Sequence, residues 1–375
     1  MEARYLFVNE NIAGHRTVHV NLAKVFATRP DVQVDFLDVP PATGLRRVAA
    51  ARIPHLDRQD ADFQPFRAQL LAADWVRRRV RRMASRYDAL HFYSHNSALL
   101  ASRIMDAVPS VVSSDSTNVL NATRIPGRVP ATMTPIAAAA GRAVEFPVYR
   151  HARRVIPSSQ WVARCLVHVY HVDPQRIVVN PMGIPVPPLP EPAPRPPGAR
   201  LRIGFVGSPF TRKGGGLLLQ EYQRRWRERA DLLVVTTSPV ERREGLQVVN
   251  DLTPGDDRLW DILQSCDVFA FPSRIDQAPN ALLEAMAAWL PVVAFDAGAV
   301  GEMIDQGRAG YLVPDGDERT FSNAVERLLE DADERQRMGR AARYRVEAAY
   351  DMRRTGDRLL DILAEAAWER AEGPR

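Results

Sequence analysis

The sequence predicts an α/β protein made of two doubly wound halves, each a parallel sheet flanked by helices. Three observations predict this. Short apolar runs alternate with longer helical patterns through both halves, as expected of parallel strands joined by helical crossovers. A proline-dense stretch, residues 181–197, separates the halves and carries few core-forming residues beyond Met182, Ile184 and Leu189, so it reads as an extended, semi-rigid linker. A chain of 375 residues is also long enough for about two domains.

Taken in order, residues 4–8 read as a buried first strand, followed by a loop around Asn11 and Gly14 and a helix over 17–28. Residues 32–39 are a second strand. A long helix over 61–86 places Phe66, Leu70, Ala73, Val76, Val80, Met83 and Tyr87 on one face at helical spacing. Strands over 89–93 and 110–114 enclose another helix. A helix over 136–151 precedes a strand over 154–156. Past the linker, residues 202–206 start a second sheet, continued by strands at 232–236, 246–249 and 268–271. The tail, 351–368, is an amphipathic helix. The expected domains are residues 1–180, a linker over 181–200 and residues 201–350.

Composition narrows the function. The apolar fraction of 46% suits buried cores, and the charged fraction of 25% is ordinary for a soluble chain. Cys165 and Cys266 stand far apart in apolar segments and read as buried free thiols in a reducing compartment. The N-terminal stretch lacks a signal peptide's apolar core, and no apolar run approaches a membrane span. The expectation is a cytoplasmic protein or one held at the inner face of a membrane. Of 50 basic residues only Lys24 and Lys213 are lysine, so a lysine in a functional setting invites a reason. The arginines at 77–79 and 81–82, near Trp75, suit an anionic membrane surface or acidic acceptor, or simply a solvated helix face. No motif points to nucleic acid.

The most informative stretch is residues 269–298, FAFPSRIDQAPNALLEAMAAWLPVVAFDAG. It reads as strand, polar loop, helix over 280–290 and strand, a βαβ unit whose ligand end lies at the carboxyl ends of the strands. Asp276 in the loop precedes Glu284 on the helix by eight positions. Between them Gln277, Ala278, Pro279, Asn280, Ala281 and Leu282 lead into the helix, whose free N–H groups suit an anion. Glu284 is a lone carboxylate on an otherwise apolar helix, which is expensive unless something satisfies it. Two carboxylates flanking an anion cradle suit a sugar nucleotide. The structural alternative makes Asp276 a solvated loop residue and pairs Glu284 with an arginine.

The wider run, FPSRIDQAPNALLEAMAAWLPVVAFDAGAVGEMIDQGRAGYLVPDGD, resembles the retaining glycosyltransferases of family 4, which adopt the GT-B fold. Their mark is two glutamates with seven residues between. Here the first is Asp276, one methylene shorter, and the family's glycine after the helix is Trp289 or Leu290. The resemblance implies two Rossmann-like domains facing across a cleft, an acceptor-binding first domain, a donor-binding second domain, and a tail helix over 351–375 crossing back to the first. It also implies transfer of a sugar from a nucleotide-diphosphate sugar to a small-molecule, lipid-linked or glycan acceptor, without cofactor or metal. Glu284 would bind the ribose and Asp276 the donor sugar. The leaving diphosphate oxygen would help deprotonate the acceptor.

The glycine-rich turn GFVGSPFTRKGGG, residues 204–216, lets backbone approach a phosphate. Its Lys213 stands where the resemblance places a phosphate-binding lysine. Ser208, after Gly207, replaces the family's arginine, and Arg212 is a candidate for the missing charge. In the first half Gly14 would approach diphosphate or acceptor. Asp115 stands where many family members place a histidine near the sugar, and His95 follows a neighbouring strand. For each, a turn or loop-capping role is the structural alternative. Glu145 matches a position that is often glutamate in the family. Sugar-nucleotide epimerases and hydrolases of the same architecture, and a non-catalytic sugar-nucleotide-binding subunit, remain open alternatives.

Overall fold

The computed structural model describes residues 3–10, 15–53, 55–56, 63–123, 131–193, 195–196, 198–253 and 255–371. The chain folds as two compact units. The first comprises the described residues up to Gly183 together with those from Met352 onward, and the second contains the described residues from Ile184 to Asp351.

In the first unit, β1 (Ala3–Asn9), β2 (Val32–Asp38), β3 (Ala89–Tyr93), β4 (Ser110–Ser114) and β5 (Arg154–Pro157) form a parallel sheet in the order β2-β1-β3-β4-β5. Leu6, Phe7 and Val8 are fully buried, because a parallel sheet is covered on both faces and its inner strands must be apolar throughout. The strand order reverses between β1 and β3. Loops leaving those two strands therefore diverge at their carboxyl ends and open a crevice.

The long helix spans Gln64–Val80 and buries Ala73, Val76 and Val80. It is shorter than its apolar spacing predicts. The backbone leaves the helix at Met83 (φ −128°) and resumes as a separate 3-10 turn, Ala84–Arg86. The C-terminal helix, Met352–Ala371, returns to the first unit as the resemblance implied. Its Leu359, Leu360, Leu363 and Ala366 share a core with Tyr5, Phe7, Leu22 and Phe26. Ion pairs Arg29–Asp357 and Arg154–Glu369 flank that seam.

In the second unit, β6 (Leu201–Val206), β7 (Ala230–Val235), β8 (Leu246–Val249), β9 (Val268–Phe271), β10 (Val292–Phe295) and β11 (Gly310–Val313) form a second parallel sheet. Its order is β11-β10-β9-β6-β7-β8. Read from β8, this is the doubly wound order 3-2-1-4-5-6, with the reversal between β6 and β9. Strand β11 and the helices Glu318–Glu330 and Ala332–Ala349 extend the unit beyond the elements expected from sequence.

The helix after β9 ends at Ala287 rather than at residue 290. Trp289 takes a left-handed conformation (φ 68°), its N–H bonds Met286 O at 3.1 Å, and Leu290 N–H bonds Ala285 O at 3.1 Å. This closing turn usually carries glycine, which has no Cβ to clash. Trp289 holds the position through its ring: Nε1 donates to Leu189 O at 3.2 Å, and the Arg343 guanidinium lies 5.5 Å from the ring centre. Among the described residues no helix is long and apolar enough to cross a membrane.

Candidate active site

Two loops leave the second sheet side by side at its reversal, one after β6 and one after β9. Gly214 brings them together. It has φ +86°, and a Cβ there would lie 2.1 Å from Pro272 O, so only glycine lets the turn close on the end of β9. Gly207 makes room in turn for the stem of Lys213, since its own Cβ would sit 3.0 Å from Lys213 Cβ. As a result the Lys213 ammonium pairs with Asp276 Oδ1, and Ser273 Oγ donates to Asp276 Oδ2. Both members of the ion pair are mostly buried.

The remaining turn residues divide by role. Ser208 Oγ accepts from Thr237 N–H at 2.9 Å and lies 3.2 Å from Thr236 Oγ1, fastening the β6 turn to the β7 turn. Arg212 is exposed, and no described residue pairs with it. On the other loop, Arg274 makes a two-pronged contact with Asp315 at 2.8 and 2.9 Å. Gly298 (φ +60°) lies against Gln277, where a Cβ would approach Gln277 Cα to 2.6 Å, and Ala299 N–H bonds Gln277 O at 2.6 Å. Gln277 and its neighbour Ala278 are thus held in place as the chain reaches Pro279 and Asn280.

The helix Asn280–Ala287 starts with no side chain capping it. Leu282 N–H turns back to Pro279 O at 3.1 Å, so the first turn, including Ala281, offers free backbone donors and the positive end of the helix dipole. Glu284 sits one turn on, half-buried. No described residue hydrogen-bonds or ion-pairs with its carboxylate, and desolvation pushes its carboxyl up to about 7. The arginine partner of the structural alternative is absent among the described residues, and Asp276 is paired rather than solvated.

The first unit gathers a different set at its own reversal. Glu10 follows β1, Ser94 and His95 follow β3, and Asp115 follows β4. His15 bridges the carboxylates, with Nδ1 3.1 Å from Glu10 Oε1 and Nε2 3.1 Å from Asp115 Oδ2. Burial opposes charge on His15, but the hydrogen bond to Asp115 and the nearby Glu10 carboxylate outweigh it and raise its pKa to about 10. Asp115 titrates below the usual carboxylate range, because the His15 contacts outweigh its burial. His95 faces inward: Nε2 lies 2.6 Å from Glu145 Oε1 and Nδ1 3.2 Å from Ser114 Oγ. Glu145 also accepts Asn118 N–H at 3.0 Å and the Tyr170 hydroxyl. The buried His95–Glu145 pair therefore ties the loops after β3 and β4 together. Gly14 and Asn11 lie outside the described residues. Glu10 and His15, which flank the loop around Asn11 and Gly14, were not singled out from the sequence. The sole signal was their position on either side of Gly14.

Two family models now bear on this geometry. One, described as Glycosyltransferase Family 4, matches residues 12–186. The other, described as Glycosyl transferases group 1, matches residues 200–331. The chain belongs to the group 1 glycosyltransferases. The D-inositol 3-phosphate glycosyltransferase of Nocardia farcinica is 26% identical to it over 377 residues, covering 88% of this chain and 78% of that protein. Among solved structures, sucrose-phosphate synthase from Thermosynechococcus elongatus superposes with a TM-score of 0.74 at 16% identity, over 97% of this chain and 98% of that one. Anabaena HepE, solved in complex with UDP-glucose, gives a TM-score of 0.66 at 15% identity, over 96% and 99%. The fold of this glycosyltransferase is GT-B, with two Rossmann-like units. Each carries a polar cluster where its strand order reverses.

Proposed function

We propose that this glycosyltransferase takes a hexosyl group from a nucleotide-diphosphate sugar held on the second unit. It passes the sugar to an acceptor hydroxyl with retention at the anomeric carbon and without a metal ion. Glu284 carries the reading. A half-buried carboxylate with no described partner destabilises the fold unless a ligand satisfies it, and two ribose hydroxyls are suitable donors. The uncapped first turn of its helix and the Lys213 ammonium supply positive potential for a diphosphate, with Arg212 free to add a second cation. Asp276 accepts hydroxyls of the donor sugar once Lys213 turns to the diphosphate. Charge growing on the departing diphosphate is stabilised by Lys213 and the helix amides. That same oxygen receives the acceptor proton, so no side-chain base and no cofactor are required. On the first unit, Asp115, kept ionised by His15, orients acceptor hydroxyls.

The donor that accompanies Anabaena HepE makes UDP-glucose the first to test, and the name of the Nocardia relative makes a phosphorylated cyclitol a first acceptor. A thermal-shift panel of UDP, GDP, ADP and dTDP with their hexose conjugates tests donor binding. A ligand at a hundredfold excess over Kd adds about 2.7 kcal/mol of stability. A shift with one base, and turnover that persists in excess chelator, are expected. No shift with any nucleotide would remove the donor site, and chelator loss restored by a divalent ion would refute metal independence.

A further inference from the structure

We infer that Asp276 weakens the hold of this enzyme on its nucleotide-diphosphate product by competing for the Lys213 ammonium. The inference rests on the proposed diphosphate site of the second unit and adds a release function to it.

Both oxygens of Asp276 are engaged, Oδ1 by Lys213 and Oδ2 by Ser273. The contact is built from both sides. Gly214, seated against Pro272, fixes the turn that carries Lys213. Gly298, seated against Gln277, and the Arg274–Asp315 pair fix the loop that carries Asp276. Two restrained backbones therefore present one carboxylate to one ammonium in a mostly buried setting, where charges interact more strongly than in bulk water.

A diphosphate can take Lys213 only by displacing Asp276, which then stands as a bare carboxylate beside a new anion. Such like-charge contacts are costly. A donor with its sugar attached offsets the cost, because sugar hydroxyls donate to the freed carboxylate. A free nucleoside diphosphate has nothing to offer it. Once the sugar has been transferred, Asp276 reclaims Lys213 and the product loses its main cation. Asp276 thus separates the affinity for donor from the affinity for product.

The test is titration calorimetry of wild type, Asp276→Asn and Asp276→Glu with UDP and UDP-glucose, or with the pair that the panel above identifies. Asp276→Asn should bind the free diphosphate roughly tenfold more tightly and the nucleotide sugar more weakly, with a steeper loss of diphosphate affinity in salt. Asp276→Glu retains the charge and should stay near wild type for the free diphosphate. Asp276→Ser repeats the test should the asparagine variant fold poorly. Unchanged or weaker diphosphate binding in the neutral variants, beside measurable binding in wild type, would overturn the inference while sparing the functional reading. Wild type that binds no nucleoside diphosphate would overturn both.

Discussion

Lys213 is one of two lysines in a chain of 50 basic residues, and its stem fills space that a side chain at position 207 would need. In the proposed transfer, negative charge on the diphosphate grows as the glycosidic bond breaks, so an ammonium here would stabilise the transition state more than the bound donor. Lys213→Ala should lower kcat on the order of 10²–10³ while raising the donor Kd far less. Lys213→Arg keeps the charge but brings a broad planar fork into that narrow space, and it should also be strongly impaired. Wild-type turnover in both variants would exclude Lys213 from the mechanism. Glu284 supports a pH prediction. Burial raises its carboxyl from 4.5 to about 7, so the folded protein binds more protons than the unfolded chain between those values. Stability from this group therefore falls as pH rises through that window. At roughly 1.4 kcal/mol per pKa unit, ionised Glu284 costs on the order of 3–4 kcal/mol at pH 8. Glu284→Gln should recover much of that in urea unfolding at pH 8 and little at pH 4.5. Equal gains at both pH values would mean that the cost is not ionisation.

At the level of elements, the sheets were legible because buried parallel strands must be apolar: residues 4–8 and 268–271 have almost no other reading. Element ends were less legible. The helix after β9 stops at Ala287 because Trp289 takes a left-handed turn that its ring contacts sustain, and no local periodicity encodes that. The four-residue strand β11 begins with Gly310 and lies at the sheet edge, so its apolar signal is short. Contacts between loops were the least legible. Glu10, His15 and Asp115 meet only because β1, β3 and β4 are neighbours, and Lys213 meets Asp276 only because β6 lies beside β9. Residue types and spacing nominated Lys213, Asp276 and Glu284, but the pairing of the first two needed the strand order. Gly214 makes that pairing possible, which is testable. Gly214→Ala adds a Cβ 2.1 Å from Pro272 O at φ +86°, so the turn must withdraw from β9. A loss of stability of roughly 1–3 kcal/mol, together with weakened nucleotide binding, is expected. Wild-type stability in chemical denaturation would show that the turn is not held there.

The whole molecule has two units, each with its own parallel sheet and core, and the chain returns to the first unit through its last helix. Leu363 of that helix is fully buried among Tyr5, Phe7 and Leu22. Leu363→Ala should destabilise the first unit by about 2–5 kcal/mol, seen as faster amide exchange in β1 and the helix His15–Phe26. Nucleotide affinity, assigned by the proposed function to the second unit, should hold. Faster exchange confined to the second unit would contradict this division. The proposed transfer depends on a nucleotide site in the second unit built around Glu284, and calorimetric titration of nucleoside diphosphates into wild type and Glu284→Gln tests it most directly. Charge-assisted hydrogen bonds to ribose are worth roughly 1.5–3 kcal/mol each, so one diphosphate should bind wild type and lose at least tenfold in affinity in the variant. Equal affinity in the two proteins, or no binding to either, would contradict it.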